Sequence, residues 1–324
     1  MSSIVDPQVS EGALSSQALS ASFTKQTMVD GKPARIECVQ MGGQTFVVDG
    51  GIVSTMRLEE EWYEDLRDPI EAVRLLSATN APPADLFTFW QRVPDVEPRF
   101  SFRTEWEELA VLRIQSYEHW WTKQLRPQAR NKARKAERAG VIVKEVGFDD
   151  EFVKGMTAIF NESPVRQGRL FWHYGKSIET VKEQFSRCIF RERMIGAYFQ
   201  GEMIGFVMLA SAGRFAIPGQ IIASIHHRDK GTSNALLAKA VELCVQQGLD
   251  RLVYMYWGDD SLADFKRSCG FEPVRVPRYW VPLTQRGKLA LAVGLHRGWK
   301  AMIPDGIKSR LKVQRRRWYE RGVK

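Results

Sequence analysis

The 324-residue sequence is 44% hydrophobic and 26% charged, with a formal net charge of +9. This composition supplies enough apolar material for one large or two ordinary domains, and it excludes a disordered or fibrous chain. The four cysteines and five histidines include no C-x-x-C or H-x-x-x-H pairing, so we expect no metal site and no disulfide framework. The Ser-rich N-terminus has no basic start and no apolar run of signal-peptide length, which predicts a cytoplasmic protein.

Two segments hold most of the positive charge. Residues 123–144 contain eight Lys or Arg and one acidic residue, and residues 286–324 contain twelve Lys or Arg and two acidic residues. Such local excess on an otherwise mildly acidic chain indicates specific anionic contacts. Phospholipid, nucleic acid and a phosphorylated substrate all remain open as partners, as does the simple alternative of solvated helix faces.

In chain order, the first half alternates short strands with helices. The pattern predicts two strands within 35–49, a helix at 69–78, strands at 86–93 and 109–114, a helix opened by Ser116, and a basic helix at 127–139. The stretch 195–213 carries only one charge, Glu202. Because Gln200 and Gly201 split it into two strand-length pieces, we predict a hairpin and not a membrane span.

The second half shows a clearer order of elements. We predict a strand at 141–146, helices at 149–163 and 177–188, the hairpin, a strand at 215–227 interrupted by Pro218-Gly219, a helix at 234–247, a strand at 251–257, a helix at 261–269 and closing strands after it.

A short polar loop joins the 215–227 strand to the helix that follows it. Free N–H groups of such a loop and of the first helical turn converge on one point, and the helix dipole adds positive charge there. An ordinary strand-to-helix connection is the alternative. The candidate donor-binding residues are Arg228, Asp229, Lys230, Gly231, Thr232, Ser233 and Asn234.

This element order, with R-x-x-G-x-S in the loop, resembles the GNAT acyltransferase superfamily over roughly residues 141–284. In that family the loop cradles the pyrophosphate of acyl-coenzyme A, which implies that role for Arg228, Gly231 and Ser233. The segments RNKARKAERAGVIVKEV and NESPVRQGRLFWHYG, with the later DFKRSCGFEPV, resemble the Fem-type aminoacyl or peptidyl transferases. In these, a degenerate domain precedes the GNAT-like one, and aminoacyl-tRNA can be the donor.

The resemblance predicts an α/β (α+β) architecture, in which a GNAT-like mixed sheet flanked by helices follows a smaller, degenerate α/β domain. The predicted segments are a flexible tail (1–24), an N-terminal α/β domain with a basic linking helix (25–140), a GNAT-like acyltransferase domain (141–285) and a basic amphipathic C-terminal tail (286–324).

Acyl transfer to an amine needs a base, an oxyanion donor and protonation of the leaving group. His226 and His227 end the strand beside the loop, where only one of two neighbours faces the cleft, and His173 is the third candidate base. The strand end at 224–226 would supply the N–H donor. GNAT enzymes commonly use a Tyr acid near the position of Phe265, so Tyr256 is the candidate replacement, with Ser261 and Cys269 as alternatives.

The loop between the predicted helices at 149–163 and 177–188 carries aromatic and charged residues. Arg166, Gln167, Phe171 and Tyr174 are the candidate acceptor contacts, because loop aromatics with Arg suit a sugar or nucleotide, although such clusters also seal helix junctions.

Three functions remain open from the sequence. The first is transfer of an acyl group from acyl-coenzyme A to an amine or hydroxyl of a sugar- or peptide-type acceptor, in envelope or polysaccharide metabolism. The second is Fem-type transfer from aminoacyl-tRNA. The third is a non-catalytic GNAT-like scaffold that binds nucleic acid or membrane. Segment 286–324 predicts peripheral contact with an anionic membrane at its inner face, by a tail that the catalytic body does not require.

Overall fold

The computed structural model describes residues 22–29, 32–166, 169–186, 189–258 and 261–297. The first half contains the strands β1 (Phe23–Val29), β2 (Lys32–Met41), β3 (Gln44–Gly50) and β4 (Ser54–Leu58), then helix α1 (Pro69–Ser77) and strand β5 (Leu86–Trp90). The Asp68 carboxylate accepts the Glu71 N–H at 2.9 Å and begins α1, as an N-cap does. The helix predicted at 69–78 is observed, and the strand predicted at 86–93 begins at Leu86 but ends earlier, at Trp90.

A long strand and a basic helix connect the two halves. They are β6 (Arg103–Arg113), a helical segment opened by α2 (Tyr117–His119) and continued as a π-helical turn to Gln124, and α3 (Pro127–Arg138). Helix α3 buries three alanines, Ala129, Ala133 and Ala136. Its basic side chains therefore lie on the other faces of the helix.

The second half follows the predicted order closely. Its elements are β7 (Ile142–Val146), α4 (Asp150–Phe160), β8 (Val165–Arg166), β9 (Arg169–Leu170), α5 (Ile178–Phe185), β10 (Glu192–Phe199), β11 (Glu202–Ala212), β12 (Phe215–Ala223), α6 (Thr232–Gln246), β13 (Arg251–Tyr256), α7 (Ser261–Ser268), β14 (Glu272–Pro282) and α8 (Gln285–Val293). The predicted hairpin is β10 and β11, turning at Gln200 and Gly201 with positive φ angles. No helix in the described part of the chain is long and apolar enough to cross a membrane.

One mixed sheet of twelve strands runs through both halves, in the order β1-β2-β3-β4-β5-β14-β6-β13-β12-β11-β10-β7. The predicted mixed α/β architecture is confirmed. The last strand, β14, lies between β5 and β6, so both predicted α/β segments contribute to the same sheet. Two strand pairs are parallel, each over only two pairs of residues. They are β4 with β5, connected through α1, and β12 with β13, connected through α6.

The parallel pair β12 and β13 forms the gap on which the candidate site depends. The strands pair only at Phe215 with Arg251 and at Ala216 with Leu252. Beyond these two pairs the strands diverge. The C-terminal part of β12 therefore forms no hydrogen bonds with β13 on the side that faces it. At the register shift between Met208 and Leu209 of β11, strand β12 has one extra residue, Gly219, between the partners Pro218 and Gln220, and this bulge bends β12.

The C-terminal segment begins within the folded body, in contrast to the separate tail that the sequence suggests. In α8, Ala290 and Leu291 are buried. A Cβ atom on Gly287 would lie 2.1 Å from the Asp85 carbonyl oxygen, so α8 packs directly on the sheet. The His296 imidazole reaches the Glu105 carboxylate at 2.7 Å. Residues 298–324, which hold most of the predicted tail, lie outside the described residues.

Candidate functional site

A cleft of about 880 Å³ opens at the C-terminal end of β12. Four parts of the chain surround it: helix α3, the loop 228–234, Arg166 with residues 170–172, and Phe265 on α7. The strand β12 itself contributes residues 221–223 as the floor. The cleft therefore brings together the predicted donor loop and part of the predicted acceptor loop.

The start of helix α6 offers unused hydrogen-bond donors to this cleft. Gly231 precedes the helix with φ +77°, and no side chain caps the helix. The N–H groups of Thr232 and Ser233 have no acceptor within the helix. The Thr232 hydroxyl is buried and has no partner among the described residues. These groups suit an anionic ligand, because N–H donors and the helix dipole both favour negative charge.

Three cations add to the positive charge of the cleft. Lys132, Lys135 and Arg228 line it, and none of the three forms an ion pair within the described residues, whereas Asp229 is the only acid in the lining. Lys230 is turned away, with its ammonium group 4.1 Å from the ring centroid of Phe199. Six of the seven predicted donor-loop residues thus line the cleft, and Lys230 does not.

Arg166, a predicted acceptor contact, is held by the protein itself. Its guanidinium donates to the Ala223 carbonyl at 2.9 Å, to the Ile159 carbonyl at 2.5 Å and to the Glu162 carboxylate at 2.9 Å. Burial lowers the pKa of Arg166, and the charge of Glu162 opposes that effect. Glu162 also accepts the Ile225 N–H at 2.8 Å. This pair therefore ties the segment after α4 to the end of β12.

The expected oxyanion donors at 224–226 are occupied. The Ser224 N–H donates to the Ile204 carbonyl at 2.8 Å, the Ile225 N–H to Glu162, and the His226 N–H to the Ser224 hydroxyl at 3.2 Å. Their peptide donors are therefore unavailable to a substrate.

The preceding residue of β12 offers a different donor. Ala223 lies opposite Gly205 of β11. In an antiparallel strand, the N–H and carbonyl groups of successive residues point to opposite sides. The Ser224 N–H points to β11, so the N–H and carbonyl groups of Ala223 point into the gap between β12 and β13. Its carbonyl accepts Arg166 there. The Ala223 N–H therefore faces the same gap.

The three candidate histidines lie in three different environments. His227 lines the cleft, with its ring 5.7 Å from that of Phe199. His226 is exposed and does not line it. His173 is buried, stacks on Phe160 at 4.2 Å and contacts the Gln220 amide at 3.0 Å. Burial, with the charges of Lys176 and Arg166, lowers the pKa of His173 to about 3, so its imidazole stays neutral inside the core.

No tyrosine lines the cleft among the described residues. Tyr256 packs edge-on against Trp62 at 5.4 Å, outside the cleft lining. Phe265 does line it, at the place where the GNAT resemblance implies an acid. Cys269 is buried behind it, and burial raises the pKa of its thiol to about 12. The described cleft thus presents an aromatic ring, and no phenol, to a leaving group.

The acceptor side of the cleft is mainly apolar. Phe171 lines it as predicted, and Leu170 and Trp172 join it. Tyr174 is half-exposed and does not line the cleft, and Gln167 lies outside the described residues. Sequence reasoning missed Leu170, Trp172, Lys132 and Lys135. The basic helix was visible as a charge run, but the sequence does not show that it packs against the donor loop.

Comparison with solved structures decides the fold. FemX matches with a TM-score of 0.56 and 10% identity, over 84% of this chain and 90% of that chain. The C-terminal domain of a protein described as a lysylphosphatidylglycerol synthetase, from Agrobacterium fabrum, matches with a TM-score of 0.54 and 11% identity, over 84% and 88%. The structure of L-PGS from Bacillus licheniformis matches with a TM-score of 0.51 and 15% identity, over 74% of this chain and 81% of that chain. The fold is GNAT-like and of the Fem type.

No protein-family model matches the sequence, and no curated protein does. The Fem-type resemblance stated from the sequence is confirmed for the fold, and the matches extend it to the first half of the chain.

The two halves of this Fem-type fold differ at their helix N-termini. Helix α1 begins with the Asp68 carboxylate on its N–H groups and carries Glu71 in its first turn. Helix α6 has neither a side-chain cap nor an acid in its first turn. Because carboxylates repel an anion, the second half is the one suited to an anionic donor. No group of three or more metal-ligating side chains occurs within the part of the chain that the structure describes.

Proposed function

We propose that this protein is an acyltransferase that moves an acyl group from acyl-coenzyme A to an amine or hydroxyl of a sugar- or peptide-type acceptor. The observation that carries the proposal is the cleft at the gap between β12 and β13, where uncapped helix donors, unpaired cations and an aromatic wall converge. The fold supports the reaction class, since GNAT-like folds serve acyl and aminoacyl transfer.

The donor phosphates bind at the start of α6. The N–H groups of Thr232 and Ser233, the unpartnered Thr232 hydroxyl, and the Lys132 and Lys135 ammonium groups are the contacts. Charge-assisted hydrogen bonds to phosphate are about twice as strong as neutral ones. A diphosphate on this loop would direct the rest of the donor along the gap toward Ala223.

Chemistry takes place where the gap meets the acceptor side. The acceptor nitrogen attacks the thioester carbon while its proton passes to the imidazole of His227, and the Ala223 N–H stabilises the oxyanion. The carbon–sulfur bond then breaks, and coenzyme A leaves as a thiolate. Because thiols have a pKa of about 8.5, far below that of a ribose hydroxyl, a thiolate leaves without a protein acid. The ring of Phe265 in the cleft therefore favours a thioester donor over a ribose ester.

The acceptor binds against Phe171, which lines the cleft. Aromatic faces suit the apolar face of a sugar ring or a peptide side chain. Arg166 is held by Glu162 and two carbonyl groups, so it shapes this wall and does not provide a free cation to the acceptor.

Aminoacyl-tRNA is the second candidate donor, and one observation favours it. The exposed basic face of α3 continues beyond the cleft to Arg126 and Arg138, neither of which forms an ion pair among the described residues. A row of unpaired cations leading out of a site suits a nucleic acid backbone.

Calorimetry with acetyl-coenzyme A and, separately, with tRNA tests the proposal. We expect acetyl-coenzyme A to bind, and the double variant Lys132→Ala/Lys135→Ala to bind it at least about ten-fold more weakly. Arg138→Ala removes a cation of the same helix outside the cleft and is the matched control. Release of free thiol with an amino sugar or a peptide amine as acceptor then measures transfer.

The outcomes separate the candidates. Binding of tRNA that weakens steeply with salt, without binding of acetyl-coenzyme A, would replace the thioester donor by the tRNA donor. Binding of neither ligand would leave the non-catalytic scaffold. Equal losses in the double variant and in Arg138→Ala would contradict the assignment of the donor contacts to the cleft.

A further inference from the structure

Three large apolar side chains are exposed on the turn beside the cleft. Leu170 is 58% exposed, Trp172 is 47% exposed and Tyr174 is 46% exposed. They lie within five residues of one another, and Leu170 and Trp172 also line the cleft mouth. Scattered single apolar residues on a surface need no explanation, but a cluster on one turn indicates contact with a partner.

The turn that carries these side chains is held firmly. The Tyr174 N–H donates to the Phe171 carbonyl at 2.9 Å, and the Gly175 N–H donates to the Asn161 side chain at 2.7 Å. The Phe171 ring packs edge-on against the buried Phe160 ring at 5.7 Å. The exposed side chains are thus presented on a fixed support, so their exposure is a property of the fold.

Positive charge surrounds the same cluster. The Lys176 ammonium group lies 4.1 Å from the centroid of the Trp172 ring. Across the cleft mouth stand Lys132, Lys135 and Arg228, unpaired in the described chain. Trp and Tyr rings with a Leu, flanked by Lys and Arg, have the composition that partitions into the headgroup region of an anionic bilayer.

We infer that the turn 170–174 is a membrane-docking surface that inserts Leu170, Trp172 and Tyr174 into the interface of an anionic lipid bilayer. The aromatic rings lie at the headgroup level, Leu170 enters the acyl boundary, and Lys176 beside Trp172 contacts lipid phosphates. Three side chains are too few for the roughly 800 Å² per partner that a stable protein dimer buries. A bilayer requires no matching surface.

Vesicle sedimentation with the full-length protein tests it. Vesicles of phosphatidylcholine with phosphatidylglycerol are compared with phosphatidylcholine alone, at about 0.1 M and about 1 M salt, where the Debye length falls from about 10 Å to about 3 Å. High salt suppresses attraction through basic segments and leaves apolar insertion. We expect the parent to bind the anionic vesicles at both salt levels, and Leu170→Ser/Trp172→Ser to bind at least about ten-fold more weakly at high salt.

The control variant is Ile52→Ser, which removes a side chain that is 86% exposed in the turn between β3 and β4. Because Trp172 contacts His173 at 3.6 Å between ring centroids, Tyr174→Ser is a second variant that spares this packing, and it should also weaken binding. Unchanged sedimentation of both turn variants would overturn the inference. So would loss of self-association without loss of vesicle binding, since the turn would then contact a second copy of the chain.

Discussion

The carbonyl oxygen of Lys132 in helix α3 lies 2.3 Å from the position that a Cβ atom on Gly231 would take. The backbone of the basic helix therefore closes one side of the donor loop. This contact explains why the loop turns at a glycine with φ +77°, and it places the Lys132 and Lys135 side chains at the mouth of the cleft.

Gly231→Ala is expected to destabilise the protein by at least about 2 kcal/mol, because the methyl group meets α3 in addition to the cost of a positive φ. Gly248→Ala is the matched control, since Gly248 also has a positive φ (+69°) but no atom within 4 Å of an added Cβ. Denaturant unfolding measures both. Equal losses of stability would show that α3 does not press on the loop. A substitution at Gly231 is consequently an unsuitable probe of ligand binding alone.

His227→Gln is expected to lower the turnover number of acyl transfer by about 100-fold or more, because general-base catalysis contributes that much. Binding of acetyl-coenzyme A should stay within a few-fold of the parent. His226→Gln, at the exposed neighbour, should keep full turnover. A normal rate in His227→Gln would transfer the role of base to another group, such as a carboxylate acting through water.

Glu192→Gln is expected to make the protein more stable at neutral and alkaline pH. Burial, with the charge of Glu60, raises the pKa of Glu192 from 4.5 to about 7. Between these values the folded protein holds a proton that the unfolded chain has lost, so stability falls as pH rises through that window.

Removing the carboxyl group at position 192 should therefore flatten this slope and add about 1 to 2 kcal/mol at about pH 8. Thermal unfolding at about pH 5 and about pH 8 measures the difference. A variant whose slope between the two pH values matches that of the parent would contradict the burial of this charge.

Asp85→Ala is expected to cost on the order of 3 kcal/mol, because it removes a buried carboxylate with several partners. Asp85 accepts hydrogen bonds from the Ser54 N–H at 3.0 Å, the Thr284 hydroxyl at 2.8 Å and the Arg286 guanidinium at 2.8 Å. Arg286 holds the pKa of Asp85 well below its usual range.

The matched control is Asp49→Ala, which breaks a half-exposed pair with Arg57. A loss of stability no larger than that of the control would mean that α8 does not depend on this anchor.

Removal of the chain after Arg286 should also lower the melting temperature, since Ala290 and Leu291 are buried.

The sequence by itself determined the local elements of this protein. Helix α1 begins at Asp68, whose side chain caps it, and the β10–β11 turn lies where Gln200 and Gly201 interrupt two apolar runs. Caps, turn residues and hydrophobic periodicity act over a few residues, so they are readable without knowledge of the fold. The loop at 228–234 was predictable for the same reason.

Only the tertiary structure decided which of these elements meet. Strand β14 pairs with β5 and β6, far away in the sequence, and α3 packs on Gly231 about 100 residues later. The burial of His173, the outward position of His226 and the packing of α8 also follow from long-range contacts. Local residue patterns carry no record of such pairings, because the free energy that selects them comes from burying apolar surface between distant segments.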